Sequence, residues 1–151
     1  MVLGSLALVP SAFGWTDSGR QLSLAWPAEG RLNSPFGWDG GRPHSGLDIG
    51  VLDSLEVRAA EDGVVTEVGW VTGFEGYGVI VEVRLNERYS TLYAHLSKAT
   101  VRVGEHVTAG ERVGLAGCTG WCTGTHLHFE LRDGDVPIDP MPLVTGYNPA
   151  L

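Results

Sequence analysis

The chain has 151 residues, of which 43% are hydrophobic and 22 are glycine, and its formal net charge is −8. That is enough chain to bury most of its surface as one domain, and the apolar share excludes general disorder. The acidic balance speaks against a nucleic-acid partner, which needs a basic face, and supplies no electrostatic attachment to anionic lipid. No segment reaches the roughly 18 apolar residues required for a membrane span.

Met1 to Gly14 is apolar and punctuated by small residues, like the hydrophobic stretch and cleavage end of a secretory signal, but the first basic residue is Arg20. Residues 1–20 are therefore set apart as a leader, a truncated signal or a linker, with 21–140 as the domain and 141–151 as a C-terminal tail. Residues 21–40 contain Trp26-Pro27 and Ser34-Pro35 and read as an edge segment, because proline cannot donate to a ladder. Strand character begins at Val57 and runs through the Asp62-Gly63 turn into Val64–Val68. After the glycine-rich stretch from Gly73 to Gly78 come Val79–Leu85, a turn at Asn86-Glu87, and a strand from Tyr89 to Leu96. Gly104-Glu105-His106-Val107 is echoed by Gly110-Glu111-Arg112-Val113, which predicts two tight turns in one small sheet. The last strand is predicted at Thr125 to Arg132, followed by a proline-rich tail. Short strands and tight turns predict an all-β domain built on a single twisted antiparallel β-sheet.

Four of the five histidines lie in three short patterns: His44-Ser45-Gly46-Leu47-Asp48, Tyr93-Ala94-His95-Leu96 and His126-Leu127-His128-Phe129-Glu130. On a strand, residues two apart share a face and sit about 6.5–7 Å apart. His126, His128 and Glu130 should therefore point one way, with Leu127, Phe129 and Leu131 pointing into a core. The same alternation places Thr91, Tyr93 and His95 together, opposite Leu92, Ala94 and Leu96. His44 and Asp48 would be about 13 Å apart on an extended strand, too far for one ion, so the chain must bend between them. Gly46 is the residue expected to permit the bend. His106, between turn glycines, reads as an ordinary exposed histidine.

These patterns, with Trp26-Pro27, Phe36-Gly37, Asp62-Gly63-Val64-Val65, Gly104-x-x-Val107 and Thr123-Gly124-Thr125, resemble the lysostaphin/LytM-type zinc metallopeptidases over about residues 24–132. The resemblance implies a duplicated-hybrid-motif sheet with a loop-walled groove, and peptidoglycan cross-links or stem peptides as substrate. It implies one Zn²⁺ per chain held by His44, Asp48 and His128, with His95 and His126 as the catalytic pair. It also implies a secreted or cell-envelope protein, here expected to act as a monomer. Three protein ligands leave a fourth position for water, the mark of a catalytic zinc. The unligated imidazoles then have two tasks, taking the water's proton and steadying the oxyanion while protonating the leaving amine, and the sequence leaves their division open. Glu130 reads first as a solvated or structural glutamate, with a hydrogen bond to a ligating histidine as the alternative, and Tyr93 reads first as half-buried in the sheet, with the groove lining as the alternative.

Cys118 and Cys122 depart from the family pattern. A short-loop disulfide is the first reading, provided the chain reaches an oxidising compartment, and free thiols or a second metal site are the alternatives. Trp38-Asp39, Thr125 and Ser54 to Val57 are milder departures that bear on loop shape and substrate preference. Two other functions compete with the endopeptidase. One is a non-catalytic envelope protein of the same fold that binds peptidoglycan or activates a hydrolase. The other is a lipoyl- or biotin-carrier-like domain, for which Lys98 is the sole lysine and lacks a neighbouring methionine.

Overall fold

The computed structural model describes residues 21–149. The leader assigned to residues 1–20 lies outside them. The described chain is nearly all strand, interrupted by single 3₁₀ turns at Glu75–Tyr77 and Met141–Leu143. The main sheet runs in the order His106–Val107, Gly63–Trp70, Val79–Arg84, Tyr89–Ala99, Leu127–Asp133, Leu47–Gly50, Arg31–Ser34. Every neighbouring pair along it is antiparallel. Glu56–Arg58, Arg112–Ala116 and Val136–Ile138 join this sheet off the main path, and the sheet does not close into a barrel. Arg31–Ser34 ends the order, an edge place that suits a segment flanked by prolines.

The turns follow their residue chemistry. Leu85 N–H donates to the Tyr89 carbonyl, and the Asn86 side-chain oxygen accepts from the backbone of Arg88 and Tyr89, each at 2.8 Å. Gly104 and Gly110 both take positive φ, 90° and 86°, and Val107 and Val113 beyond them are buried. The last long strand starts at Leu127 rather than Thr125, because His126 forms only one bridge, to Gly117. The tail returns to the body: Val144–Thr145 pairs in parallel with Leu24–Ala25, and the Tyr147 ring lies 4.3 Å from Trp26.

The two faces of the sheet differ. Leu47, Ile49, Val81, Val83, Tyr93, Leu96, Leu127, Phe129 and Leu131 form the main core. On the other face Ile80, Leu92 and Ala94 form a smaller cluster, covered by Val71 and by Phe74 and Tyr77 from the glycine-rich loop. Cross-strand pairing sets which polar groups join this second face. His128 is opposite both Ala94 and Asp48, and Glu130 is opposite Leu92. The polar half of the His126–Arg132 alternation therefore lies beside a small apolar floor, with its apolar half locked in the core.

Candidate metal centre and active site

His44 closes the short hairpin Gly37–Asp39/Arg42–His44, whose tip is made by Gly40 and Gly41, both at positive φ. The chain then bends through Ser45 and Gly46 into Leu47–Gly50, which carries Asp48. Gly46 is required for space, not for a left-handed backbone. A Cβ there would stand 2.4 Å from the Phe129 carbonyl oxygen and 3.0 Å from His128 Cε1. The glycine lets the His44 segment press against the strand that bears His128.

The three expected ligands come together. His44 Nε2 is 3.2 Å from Asp48 Oδ1, and His128 Nδ1 is 2.8 Å from the same oxygen. One ligand atom from each residue lies within 4.8 Å of the other two. A tetrahedral zinc with bonds of roughly 2.0–2.2 Å separates its ligands by about 3.4 Å, so small side-chain adjustments suffice to admit the ion. The remaining ring nitrogens are already committed. His44 Nδ1 donates to the Pro35 carbonyl at 2.7 Å, which leaves Nε2 as the donor atom toward a metal. His128 Nε2 lies 3.0 Å from Glu130 Oε1, which leaves Nδ1. Imidazoles oriented by carbonyl and carboxylate partners are a recurrent feature of metal sites.

Protons hold the same donors together electrostatically. The hydrogen bond to Asp48 raises His44 above the usual histidine range despite partial burial. Burial works against charge on His128, yet hydrogen bonds with Asp48 and Glu130 prevail and lift it to about 9. Burial likewise opposes ionisation of Asp48, but His128 and His44 keep its carboxyl well below the usual carboxylate range. This is a cluster prepared to stabilise concentrated positive charge against one carboxylate.

The other two histidines line the edge of this cluster. The His126 ring centroid is 4.8 Å from that of His95, and His126 Nε2 is 3.6 Å from Asp48 Oδ1. His95 is 6.0 Å from His128, ring to ring. Each has its Nδ1 against a backbone carbonyl, Thr119 for His95 at 2.8 Å and Gly124 for His126 at 2.7 Å. A carbonyl can only accept, so Nδ1 carries the hydrogen and Nε2 holds the lone pair of the neutral ring. Burial is the main influence on His95 and lowers its pKa.

Simple alternation fails at His95. Thr91 and Tyr93 face the main core, while Leu92 and Ala94 face the opposite side, into the smaller cluster under Phe74 and Tyr77. His95 has φ +58°, and the register with Val79–Arg84 slips there: Val81 is opposite Tyr93, and Val79 is opposite Leu96. This bulge turns the imidazole to the groove side. Tyr93 is fully buried, its hydroxyl 2.7 Å from the Ala60 amide it accepts from and 3.1 Å from Thr91 Oγ1. It is therefore a core residue, apart from the groove.

Glu130 is far from a solvated glutamate. It is fully buried, its Oε1 accepts from the Tyr77 hydroxyl at 2.8 Å and meets His128 Nε2, and its Oε2 accepts from Arg132 at 2.6 Å. Burial opposes its charge, but His128, Ser45 and Tyr77 outweigh burial and hold it at about 2. Its place in the His126-x-His128-x-Glu130 alternation was a usable signal. Tyr77, whose hydroxyl also lies 3.1 Å from Ser45 Oγ, carried none beyond being an aromatic in a glycine-rich loop. Cys118 and Cys122 are joined in a disulfide, and Trp121 between them is 86% exposed. His106 is exposed and remote from this cluster in the sheet order.

Three donors that leave a position open, beside two further imidazoles whose Nδ1 atoms are held by backbone carbonyls, suit metal-assisted hydrolysis better than a structural clamp. All-β metallopeptidases are the class in which such a site sits on a sheet of this kind. The chain belongs to peptidase family M23, whose family model matches residues 42–140. It is 39% identical over 117 residues to the DD-carboxypeptidase/endopeptidase Mpg of Neisseria meningitidis, covering 74% of this chain and 26% of that protein. Among solved structures it is similar to a zinc containing peptidase from Vibrio cholerae (TM-score 0.69, 32% identity, 80% of this chain and 40% of that one). It is also similar to lysostaphin from Staphylococcus simulans (TM-score 0.68, 31% identity, 80% and 51%). The chain spans about a quarter of the length of the first curated relatives it matches. No helix among the described residues is long and apolar enough to cross a membrane.

Proposed function

We propose that this chain is a zinc-dependent endopeptidase that hydrolyses peptide bonds in bacterial peptidoglycan cross-links or stem peptides, acting as a monomer outside the cytoplasm or in the cell envelope. The observation that carries this reading is the convergence of His44, Asp48 and His128, with His95 and His126 both present and unligated beside them. A protein of this fold that only binds walls has no need of that second pair.

His44 Nε2, Asp48 Oδ1 and His128 Nδ1 would hold the zinc. Bound there, zinc would supply Lewis-acid catalysis and a water with a pKa near 7. The remaining steps belong to the chain. Glu130, held by Tyr77 and Arg132, keeps His128 in the orientation that presents Nδ1. His95 and His126 offer Nε2 lone pairs on the groove side, and one takes a proton from the attacking water. The other, once protonated, stabilises the oxyanion and gives its proton to the leaving amine.

The test is metal analysis of the purified chain, followed by digestion of cell walls of several cross-link chemistries and mass spectrometry of the released peptides. One zinc per chain with a defined cleaved bond supports the reading. Stoichiometric zinc and wall binding with no cleavage on any wall type would assign the chain the non-catalytic role instead.

A further inference from the structure

The Cys118–Cys122 disulfide closes a loop that touches both unligated histidines. Thr119, inside the ring, gives its carbonyl to His95 Nδ1. Gly124, two residues beyond Cys122, gives its carbonyl to His126 Nδ1. Cys122 Sγ is itself 3.6 Å from His126 Nδ1. The loop is pinned to the sheet through Thr119, whose Oγ1 donates to the Leu96 carbonyl at 2.6 Å and accepts from Val79 N–H at 3.0 Å. A further tie runs from Trp121 N–H to the Gly76 carbonyl at 2.8 Å.

These ties hold the first half of the loop, and residues 123–125 beyond them are exposed. Gly117 and Gly120 pack closely against Ser97 and the Gly76–Gly78 backbone, where a Cβ would clash, whereas nothing lies within 4 Å of a Cβ at Gly124. Trp121 is 86% exposed, so its indole brings little burial to hold the loop down. The covalent link supplies the restraint that packing does not. The histidine donors take their other partners elsewhere, from Pro35, Ser45 and Glu130, and Asp48 meets the loop-held pair only at His126 Nε2, 3.6 Å away. Cys118 is exposed, so a reductant can reach the bond.

We infer that the Cys118–Cys122 disulfide is a positioning element for His95 and His126, and that reducing it slows hydrolysis while leaving the metal donors intact. The inference rests on the endopeptidase reading for its rate consequence only. The reductant is a dithiol, which ends as its cyclic disulfide and leaves two cysteine thiols, or a phosphine, which ends as the phosphine oxide with oxygen drawn from water.

The test compares oxidised protein, protein reduced with tris(2-carboxyethyl)phosphine, and the Cys118→Ala/Cys122→Ala variant, all zinc-loaded. Imidazole nitrogen-15 spectra recorded with the rings neutral distinguish the two tautomers. In the oxidised protein His95 and His126 each show the Nδ1–H form alone. In the other two samples both tautomers appear at these rings, zinc content is unchanged, and the clearing of purified walls falls roughly 10- to 100-fold in kcat, the scale of small misplacements of reacting groups. Reoxidation restores the reduced protein and leaves the variant unchanged. Tautomers that do not respond to reduction, or zinc lost together with the disulfide, would overturn the inference. If the spectra change as described and even oxidised protein clears no walls, the endopeptidase reading fails and the positioning role stands.

Discussion

Replacing Glu130 with glutamine tests whether a buried carboxylate organises the metal centre. The carboxylate is fully buried and meets three donors: His128 Nε2 at 3.0 Å, the Tyr77 hydroxyl at 2.8 Å and Arg132 Nη1 at 2.6 Å. Glutamine brings one oxygen and two hydrogens. With the oxygen at the Oε1 position, His128 and Tyr77 are served and the amide NH₂ meets Arg132 donor to donor. Flipped, it serves Arg132 and opposes the other two. Arg132 keeps the Asp135 carbonyl at 2.8 Å through Nη2 in either case. Breaking a buried charged pair costs about 3–5 kcal/mol, and the surviving bonds return part of it, so we expect a loss of about 2–4 kcal/mol in unfolding free energy. At the metal, losing the carboxylate that orients a ligating histidine weakens binding about 10- to 100-fold, or about 1.4–2.8 kcal/mol. Urea unfolding of the metal-free protein and zinc competition against a chromophoric chelator measure the two quantities separately. A Glu130→Gln variant within about 0.5 kcal/mol of the parent in stability, the scatter of ordinary surface substitutions, and with unchanged zinc affinity, would refute this account of Glu130.

His128→Ala should abolish zinc binding and hydrolysis together, whereas His126→Ala should keep zinc and lose roughly 100-fold in rate; zinc loss from both would undo the division of the pair. Zinc affinity should fall as pH drops from about 9 toward 7, because His128, lifted to about 9, holds a proton that the metal must displace, at up to about tenfold per unit. Competition titrations that give the same affinity at both ends of that window contradict it. Tyr93→Phe should destabilise the fold by about 1–3 kcal/mol by stranding the buried Ala60 amide, with zinc affinity unchanged. A thermal or urea midpoint equal to the parent's would show that water replaces the hydroxyl.

What could be read from the chain alone divides along physical lines. The Leu127-Phe129-Leu131 and His128-Glu130 alternation was legible because a regular strand has one period and its apolar half must be buried. The same rule misplaced His95 relative to Tyr93, since a bulge changes the phase and leaves no mark in residue types. The need for a glycine at position 46 was visible, but its cause was not. The Phe129 carbonyl that forbids a Cβ is 83 residues away along the chain and becomes a neighbour only through the pairing of Asp48 with His128. From the sequence Glu130 is a solvated or structural glutamate, because the aromatic and the arginine that satisfy it come from a loop and from the next alternate position. Glutamate with no visible partner is ordinarily solvent-facing.

The slip at His95 has one more consequence. On either side of it, Tyr93 and Leu96 both press inward, so Ala94 and His95 between them are held by two anchors sunk in the same close-packed interior. Shaving either anchor, at a position that never meets substrate, would let the strand relax toward ordinary pleating and swing an imidazole out of reach of its partner. Tolerance to change in the hydrophobic interior should therefore be narrowest where it backs onto the chemistry.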